Sequence, residues 1–172
     1  MYIWYRNRLQ SVKNYQLTGE FECKLDAKGR IRLPSTLLRQ LGEAGQVTFV
    51  VNRGFEKCLM LYPKDVWDKK ATEVNQLNIY NTRQRNFKRY FYRGATKLVT
   101  DTADRVLMPK SLLEYAGAEK EVVLFAYHEQ IEIWSKKNYE QMLQAEPEEF
   151  SELAEDVFGF DSKNIEGLEN VS

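Results

Sequence analysis

Apolar and polar residues follow the same order twice along this chain of 172 residues. In each copy a short extended stretch is followed by a turn, a helix-like segment, two further β-rich runs and a second helix. The alternation Ile131-Glu132-Ile133 is the period-two pattern of a half-buried strand. The strand segments are EFECKL, QVTFVV and CLMLYP in the first copy and ATKLVT, EVVLFAY and QIEIWS in the second. The pattern predicts an α+β protein made by tandem duplication.

Each copy also contains a short helix-like segment that follows a proline and ends in glycine. These segments are STLLRQLG, which ends at Gly42, and KSLLEYAG, which ends at Gly117. A glycine at this place is typical of a helix C-terminal cap, where positive φ is needed. Two copies are too few for a solenoid. We therefore expect a pseudo-twofold domain in which strands of one half pair with strands of the other.

The most specific repeat is a nine-residue motif, DAKGRIRLP and DTADRVLMP, whose copies begin 75 positions apart at Asp26 and Asp101. An aspartate that opens a turn can cap backbone N–H groups, and Gly29 can adopt positive φ without steric cost. Asp104 replaces this glycine in the second copy, and aspartate is among the few residues that tolerate left-handed geometry. Asp26 is within reach of Arg30, so an ion pair could fix the direction of the guanidinium.

Two interpretations of this motif stay open at the level of residues. The turns can be purely structural, each with an exposed ion pair of little energetic weight. Alternatively, two oriented arginines on a pseudo-twofold face can recognise a DNA duplex, because arginine pairs bidentately with guanine edges.

Charge is balanced in total but unevenly distributed. The chain has 25 basic and 25 acidic residues, which argues against a protein that coats nucleic acid by bulk charge. The run from Arg83 to Arg93 is nevertheless strongly basic, and the tail from Glu146 is acidic, with Lys163 as its only basic residue. The neutral total therefore combines a basic body with an acidic tail.

Both charged segments have two possible roles. At helical spacing, the aromatic residues of the basic run form an apolar face that favours packing against the core. The cations beside them are candidates for supporting phosphate contacts: Arg83, Arg85, Lys88 and Arg89. The acidic tail is either a partly disordered solubilising segment or a short helix that docks on a neighbouring protomer or competes with DNA.

Other functions find little support in the sequence. Two cysteines without CxxC spacing predict neither a disulfide scaffold nor a zinc site. No run of about 18 apolar residues and no signal peptide is present, so we expect a cytoplasmic protein. His128 is the only histidine, and no glycine-rich phosphate loop occurs. We expect no enzyme activity, no cofactor, no metal site and no small-molecule substrate.

The segments GEFECKLDAKGRIRLP, CLMLYP, FYRGATKLVTDTADRVLMP and LEYAGAEKEVVLFAYHEQIEIWSKKNYEQ closely resemble the MraZ family of bacterial transcriptional regulators. The resemblance covers Gln16 to about Leu143. It implies a tandem pair of AbrB-like halves that form a pseudo-twofold, swapped-hairpin β barrel with short helices. The expected divisions are an N-terminal extension (1–15), a first half (16–80), a second half (81–144) and a partly disordered acidic tail (145–172).

The resemblance also implies a function. Members of the MraZ family are expected to bind DNA as ring-shaped oligomers, on repeated promoter boxes upstream of the division and cell-wall gene cluster. This chain is then a nucleoid-associated repressor of its own cluster, with double-stranded promoter DNA and its own copies as partners. The alternative is an interaction protein that assembles through the duplicated β domain without binding DNA.

Carried over by motif, the implied DNA-contacting residues are Arg30 and Arg105, held by Asp26 and Asp101. Lys28 is then a phosphate contact. Family members usually repeat the glycine where this chain has Asp104, and a carboxylate beside Arg105 can offset its charge. We therefore expect the first motif to contribute more than the second.

Overall fold

The computed structural model describes residues 13–42 and 45–159. Most of the expected N-terminal extension (1–12) and the last part of the acidic tail (160–172) lie outside these residues. The chain divides into two compact units, with the boundary between Asn138 and Tyr139. The fold described below is that of the first unit, which contains every strand of the described residues.

Strands and helices follow the order that the sequence pattern predicts. The strands are β1 (Leu17–Lys24), β2 (Arg30–Arg32), β3 (Thr48–Arg53), β4 (Cys58–Pro63), β5 (Thr96–Val99), β6 (Arg105–Leu107), β7 (Glu121–His128) and β8 (Gln130–Ser135). The helices are α1 (Ser35–Leu41), α2 (Lys64–Asn75), α3 (Thr82–Tyr92), α4 (Lys110–Ala116), α5 (Lys136–Met142) and α6 (Pro147–Phe158). The α+β class is confirmed. In the described part of the chain, no helix combines the length and apolar character needed to span a membrane.

Strands from the two halves of the sequence share one antiparallel sheet. Its six strands have the order β1-β7-β8-β4-β3-β5. The first strand of each half therefore pairs with a strand of the other half, β1 with β7 and β5 with β3, while β4 and β8 meet in the middle. β2 and β6, also from opposite halves, form a separate two-stranded sheet.

The closed barrel that the family resemblance implied is not found in the described residues. β1 and β5 end the six-stranded sheet at opposite edges. β2 and β6 pair with each other and do not join the six-stranded sheet. The sheet is therefore open, and the swapped-hairpin arrangement stays an expectation.

Equivalent positions of the two halves contribute equivalent side chains to the core. Ile31 and Val106 are fully buried at equivalent positions of the two short strands. Leu37 of α1 and Leu112 of α4 are buried in the same way, again 75 positions apart. Each such side chain contributes about 1.5–3 kcal/mol through removal from water. This burial holds the short strands and their helices against the larger sheet.

The two short helices end as the sequence predicts. Gly42 has φ 69° and Gly117 has φ 65°, both in the left-handed region. Their backbone N–H groups donate back to the final helical turn, to the carbonyls of Arg39 and Glu114. The predicted glycine caps are confirmed.

Candidate nucleic-acid interface

The first Asp-x-x-x-Arg segment is a closed turn built around one carboxylate. Asp26 Oδ1 accepts hydrogen bonds from the backbone N–H groups of Lys28, at 3.0 Å, and Arg30, at 2.8 Å. The Asp26 N–H donates to the Arg30 carbonyl, and the Gly29 N–H donates to the Asp26 carbonyl, each at 3.0 Å. Gly29 sits at φ 81°, as expected for a residue that closes such a turn.

The second segment repeats this geometry with different residues. Asp101 Oδ1 accepts from the N–H groups of Ala103, at 2.9 Å, and Arg105, at 3.0 Å. Asp104 takes the position of the glycine at φ 58°, and its N–H donates to the Asp101 carbonyl at 3.1 Å. The expectation that an aspartate can take the left-handed conformation at this position is confirmed.

The second oxygen of each aspartate holds the arginine side chain. Arg30 Nε lies 2.7 Å from Asp26 Oδ2, and Arg105 Nε lies 2.8 Å from Asp101 Oδ2. The side chains of the two arginines remain 27% and 32% exposed. Within residues 13–42 and 45–159, only Nε of either guanidinium makes a hydrogen bond. Each side chain is thus fixed at Nε and keeps its terminal N–H donors for another acceptor.

Hydrogen bonds also keep both aspartates charged. The backbone N–H of Arg30 is the main cause of the lowered pKa of Asp26, with its guanidinium as a further cause. The corresponding groups of Arg105 lower the pKa of Asp101 in the same way. Partial desolvation opposes both shifts without reversing them. Both carboxylates are therefore ionised at neutral pH, as an ion pair that orients arginine requires.

The two turns are joined by the ribbon formed from β2 and β6. Its register pairs Arg30 with Leu107, Ile31 with Val106 and Arg32 with Arg105. Directly opposed residues lie on the same face of an antiparallel pair, and successive residues alternate between faces. Because Ile31 and Val106 are buried, the other four side chains share the opposite face. This solvent-side face carries three arginines and one leucine: Arg30, Arg32, Arg105 and Leu107.

Each turn is also anchored by the strand of the other half. The Leu33 N–H donates to the Asp104 carbonyl at 2.8 Å, and the Met108 N–H donates to the Gly29 carbonyl at 2.9 Å. These reciprocal bonds connect the end of each ribbon strand to the opposite turn. The ribbon thus presents the turns as a pseudo-twofold pair at its two ends.

Lys28 and Arg32 complete the positive charge around the ribbon. Lys28 is exposed in the first turn, where its own backbone N–H is bonded to Asp26. Arg32 is exposed on the ribbon and donates Nε to the carbonyl of Ala103, at 3.2 Å. Sequence analysis did not single out Arg32. The signal was the alternation Arg30-Ile31-Arg32, which places two arginines on one face of a strand.

The four predicted phosphate contacts of the basic run lie on α3. In the part of the chain that the structure describes, no hydrogen bond, ion pair or ring contact joins α3 to β2 or β6. Arg85 donates to the carbonyl of Ile79 at 2.8 Å, and Arg89 reaches only Asn86 of its own helix. The aromatic face packs as expected, with Phe91 stacked on Trp67 at 4.6 Å between ring centroids. These cations and the ribbon are therefore two distinct basic features.

The acidic segment is helical where it is described. Residues 147–158 form α6, so the first part of the predicted tail adopts the helix that was one of its two alternatives. Phe150, Leu153 and Val157 share one side of this helix and are exposed. Docking of α6 on a neighbouring protomer stays a prediction.

Comparisons with known proteins agree with the duplication. A family model described as "MraZ protein, putative antitoxin-like" matches residues 16–90 and again residues 91–161. A protein of Christiangramia forsetii, named transcriptional regulator MraZ, is 42% identical over 146 residues, which cover 84% of this chain and 94% of that protein. Proteins with the same name from Flavobacterium psychrophilum and Cytophaga hutchinsonii are 38% and 36% identical. They cover 83% and 80% of this chain, and the matches span 92% and 91% of their own lengths.

Proposed function

This chain belongs to the MraZ family, and on that premise we propose that it regulates transcription by binding specific sites in duplex DNA through its two Asp-capped turns. The main support for this proposal is the arrangement of arginines on the β2–β6 ribbon. Two arginines, Arg30 and Arg105, are each held by an aspartate in the same geometry, and both lie on one exposed face. The relatives' names supply the regulatory role.

The physical basis is the match between a held guanidinium and a guanine edge. Arginine donates two parallel hydrogen bonds to guanine O6 and N7, and each good pair discriminates against the wrong base by about 1–3 kcal/mol. A two-stranded β-ribbon can enter the major groove. A side chain already fixed at Nε loses less conformational freedom on binding than a free arginine does. The aspartates therefore act on affinity through Arg30 and Arg105.

Other cations in this proposal position the protein on the duplex. Lys28 is a compact charge next to Arg30 and contacts phosphate, which carries no sequence information. The α3 cations Arg83, Arg85, Lys88 and Arg89 are supporting phosphate contacts, for DNA that continues beyond the ribbon. Their loss should weaken binding to every sequence and reduce its salt dependence.

We further propose that the protein acts as a ring-shaped homo-oligomer on repeated promoter boxes. The open edges of β1 and β5 leave strand hydrogen-bonding groups that a second copy can cover. A ring presents many ribbons, so binding to a second box occurs at high effective concentration. In this proposal the boxes lie upstream of the protein's own division and cell-wall gene cluster, which it represses as part of the nucleoid.

The second candidate function is assembly without DNA. It is favoured by one observation, the formal net charge of zero, since most DNA-binding domains carry a basic excess. In that case the turns are scaffold, and the ribbon face contacts protein or solvent.

Binding titrations separate the two functions. The probes are the duplex immediately upstream of the gene and a scrambled duplex of equal length and composition, each at two salt concentrations. Arg30→Ala should abolish most of the preference for the upstream duplex, whereas Lys28→Ala should weaken binding to both duplexes alike. Arg105→Ala should have a smaller effect than Arg30→Ala, because Asp104 lies next to Arg105.

Lys69→Ala is the matched control, because Lys69 is an exposed cation on α2, outside the ribbon. Light scattering should show that each variant keeps the parent's oligomeric state. If Arg30→Ala keeps the parent's full preference, the first turn does not recognise the DNA sequence. If the parent binds the two duplexes equally, sequence-specific recognition is refuted, and if it binds neither duplex, the second function holds.

A further inference from the structure

The two turns have the same backbone but opposite charge. Lys28 of the first turn corresponds to Ala103 of the second, 75 positions later, and Gly29 corresponds to Asp104. One carboxylate and two cations give residues 26–30 a formal charge of +1, whereas two carboxylates and one cation give residues 101–105 a formal charge of −1. Taken alone, the second turn has no free cation for a phosphate and has an additional group that repels it.

Arg32 supplies a cation at that place from the other half of the chain. Its Nε donates to the carbonyl of Ala103, 71 positions away, at 3.2 Å. Arg32 and two residues of the second turn, Ala103 and Asp104, also line one surface groove of about 580 Å³. Lys24 and Glu22 of β1 line the same groove, but among the described residues Arg32 is the only cation of the groove that hydrogen-bonds the second turn. The side chain of Arg32 therefore belongs, in space, to the second turn.

The pseudo-twofold relation shows that this arrangement is present on one side only. The counterpart of Arg32 is Leu107, which is 58% exposed on the same ribbon face and cannot donate a hydrogen bond. The groove at that end contains Leu107 but none of the first-turn residues 26–30. The first turn therefore has its own lysine, Lys28, and no arginine from the opposite strand. The second turn has no lysine and is contacted by Arg32 from the opposite strand.

Arg32 is also placed at an electrostatic cost. Its partner across the ribbon is Arg105, and like charges directly opposite each other destabilise a strand pair. Asp101 holds Arg105 at Nε, while the hydrogen-bond partner of Arg32 is an uncharged carbonyl. An anion bound beside Arg32, such as a DNA phosphate, would relieve this repulsion.

We propose that Arg32 is the phosphate-binding cation of the second turn and performs there the task of Lys28 in the first. This inference rests on the proposed DNA-binding function. It makes the ribbon two equivalent recognition units, each with one arginine held by aspartate and one free cation. It also makes Arg32 a residue that positions Arg105 on the duplex, rather than one that selects the base.

The test compares the parent and four variants on the upstream and scrambled duplexes over a series of salt concentrations. Arg32→Ala should reduce the slope of log affinity against log salt by about 1 per engaged subunit, equally for both sequences. Arg32→Gln retains an N–H donor for the Ala103 carbonyl but has no charge, and it should show the same reduction. Arg32→Lys should keep the parent's slope. Arg32→Ala with Ala103→Lys should recover that slope, because the lysine then lies where Lys28 lies in the first turn.

The outcomes distinguish this inference from the function on which it depends. If the parent does not prefer the upstream duplex, the proposed function fails. If the parent prefers it but Arg32→Ala keeps the parent's slope, only the role of Arg32 is refuted. A reduced slope in Arg32→Ala that Arg32→Gln does not share would assign Arg32 a structural role, and so would failure of Ala103→Lys to restore it. Thermal melts of the parent and the four variants should agree within a few degrees, because Arg32 is exposed.

Discussion

Replacement of Asp26 by asparagine separates the two tasks of this side chain. Oδ1 of Asp26 accepts from two backbone N–H groups, and Oδ2 accepts from Arg30 Nε. Asparagine keeps one carbonyl oxygen for the backbone but presents an amide NH₂ to Arg30, a donor facing a donor. The turn should therefore persist while the guanidinium loses its anchor. Asp26→Ala should lose both the turn cap and the anchor.

The expected effect on DNA binding has two parts of opposite sign. Removing the negative charge of Asp26 beside the ribbon should strengthen binding to scrambled DNA by a few-fold, because the protein then repels the DNA phosphates less. An unanchored Arg30 should lose much of its discrimination between bases, which for one good arginine–guanine pair amounts to roughly 5- to 150-fold. The ratio of specific to nonspecific affinity should therefore fall in Asp26→Asn even though nonspecific affinity rises. A change in ionic interactions alone would shift both affinities together.

Fluorescence anisotropy with the upstream and scrambled duplexes measures this ratio. Asp101→Asn in the second turn is the matched variant, since Asp101 makes the same three contacts. Its effect should be in the same direction but smaller, because Asp104 remains beside Arg105. Thermal melts should place Asp26→Asn closer to the parent than Asp26→Ala. An unchanged affinity ratio in Asp26→Asn, with the fold intact, would refute the idea that the carboxylate acts by orienting Arg30.

Three further predictions follow from the turns and caps. Asp104→Asn should tighten binding to both duplexes, because it removes a carboxylate near Arg105 and asparagine also tolerates φ 58°. The converse variant in the first turn, Gly29→Asp, should weaken binding. Affinities equal to the parent's in the same anisotropy assay would contradict both expectations. Gly42→Ala should lower the free energy of unfolding in urea by about 1 kcal/mol through the left-handed backbone, since the added Cβ meets no described atom within 4 Å outside the adjoining residues. Gly42→Asn should cost less, and equal costs would argue against the cap. The pKa values of Asp26 and Asp101 lie below the ordinary 3.8, so the stability that these carboxylates contribute is complete above that pH and is lost as the pH falls through the folded-state values. NMR titration should find both midpoints below 3.8. Unfolding of the Asp26→Asn, Asp101→Asn double variant should be less sensitive to acid below pH 3.8, and equal acid sensitivity in the parent and the double variant would contradict the assigned contacts.

Local sequence predicted most of the elements because their causes are local. Alternation of apolar and polar residues fixes which face of a strand is buried, as in Ile131-Glu132-Ile133 of β8. Glycine after a short apolar helix predicts its end, and Gly42 and Gly117 adopt the left-handed conformation that this role needs. The capped turns were predictable for the same reason, since each aspartate contacts groups within four residues of itself.

The chemistry of the arginines was predictable only in part. The sequence indicated that Asp26 lies within reach of Arg30, in agreement with the ion pair that the structure shows between them. It did not single out Arg32, whose hydrogen-bond partner, Ala103, lies in the other half of the chain. It gave the α3 cations as candidates for supporting phosphate contacts on charge alone, and that role stays a prediction.

What the sequence determined by itself was therefore the duplication, the order of strands and helices, and the geometry of each turn. What only the tertiary structure decided was the pairing: β1 with β7, β5 with β3, and β2 with β6, in an open sheet and a separate ribbon rather than a closed barrel. Pairing between distant strands costs loop-closure entropy and is repaid only by burial summed over the whole core. Fully buried residues such as Ile31 and Val106 select one register, and that register brings Arg32 to the second turn.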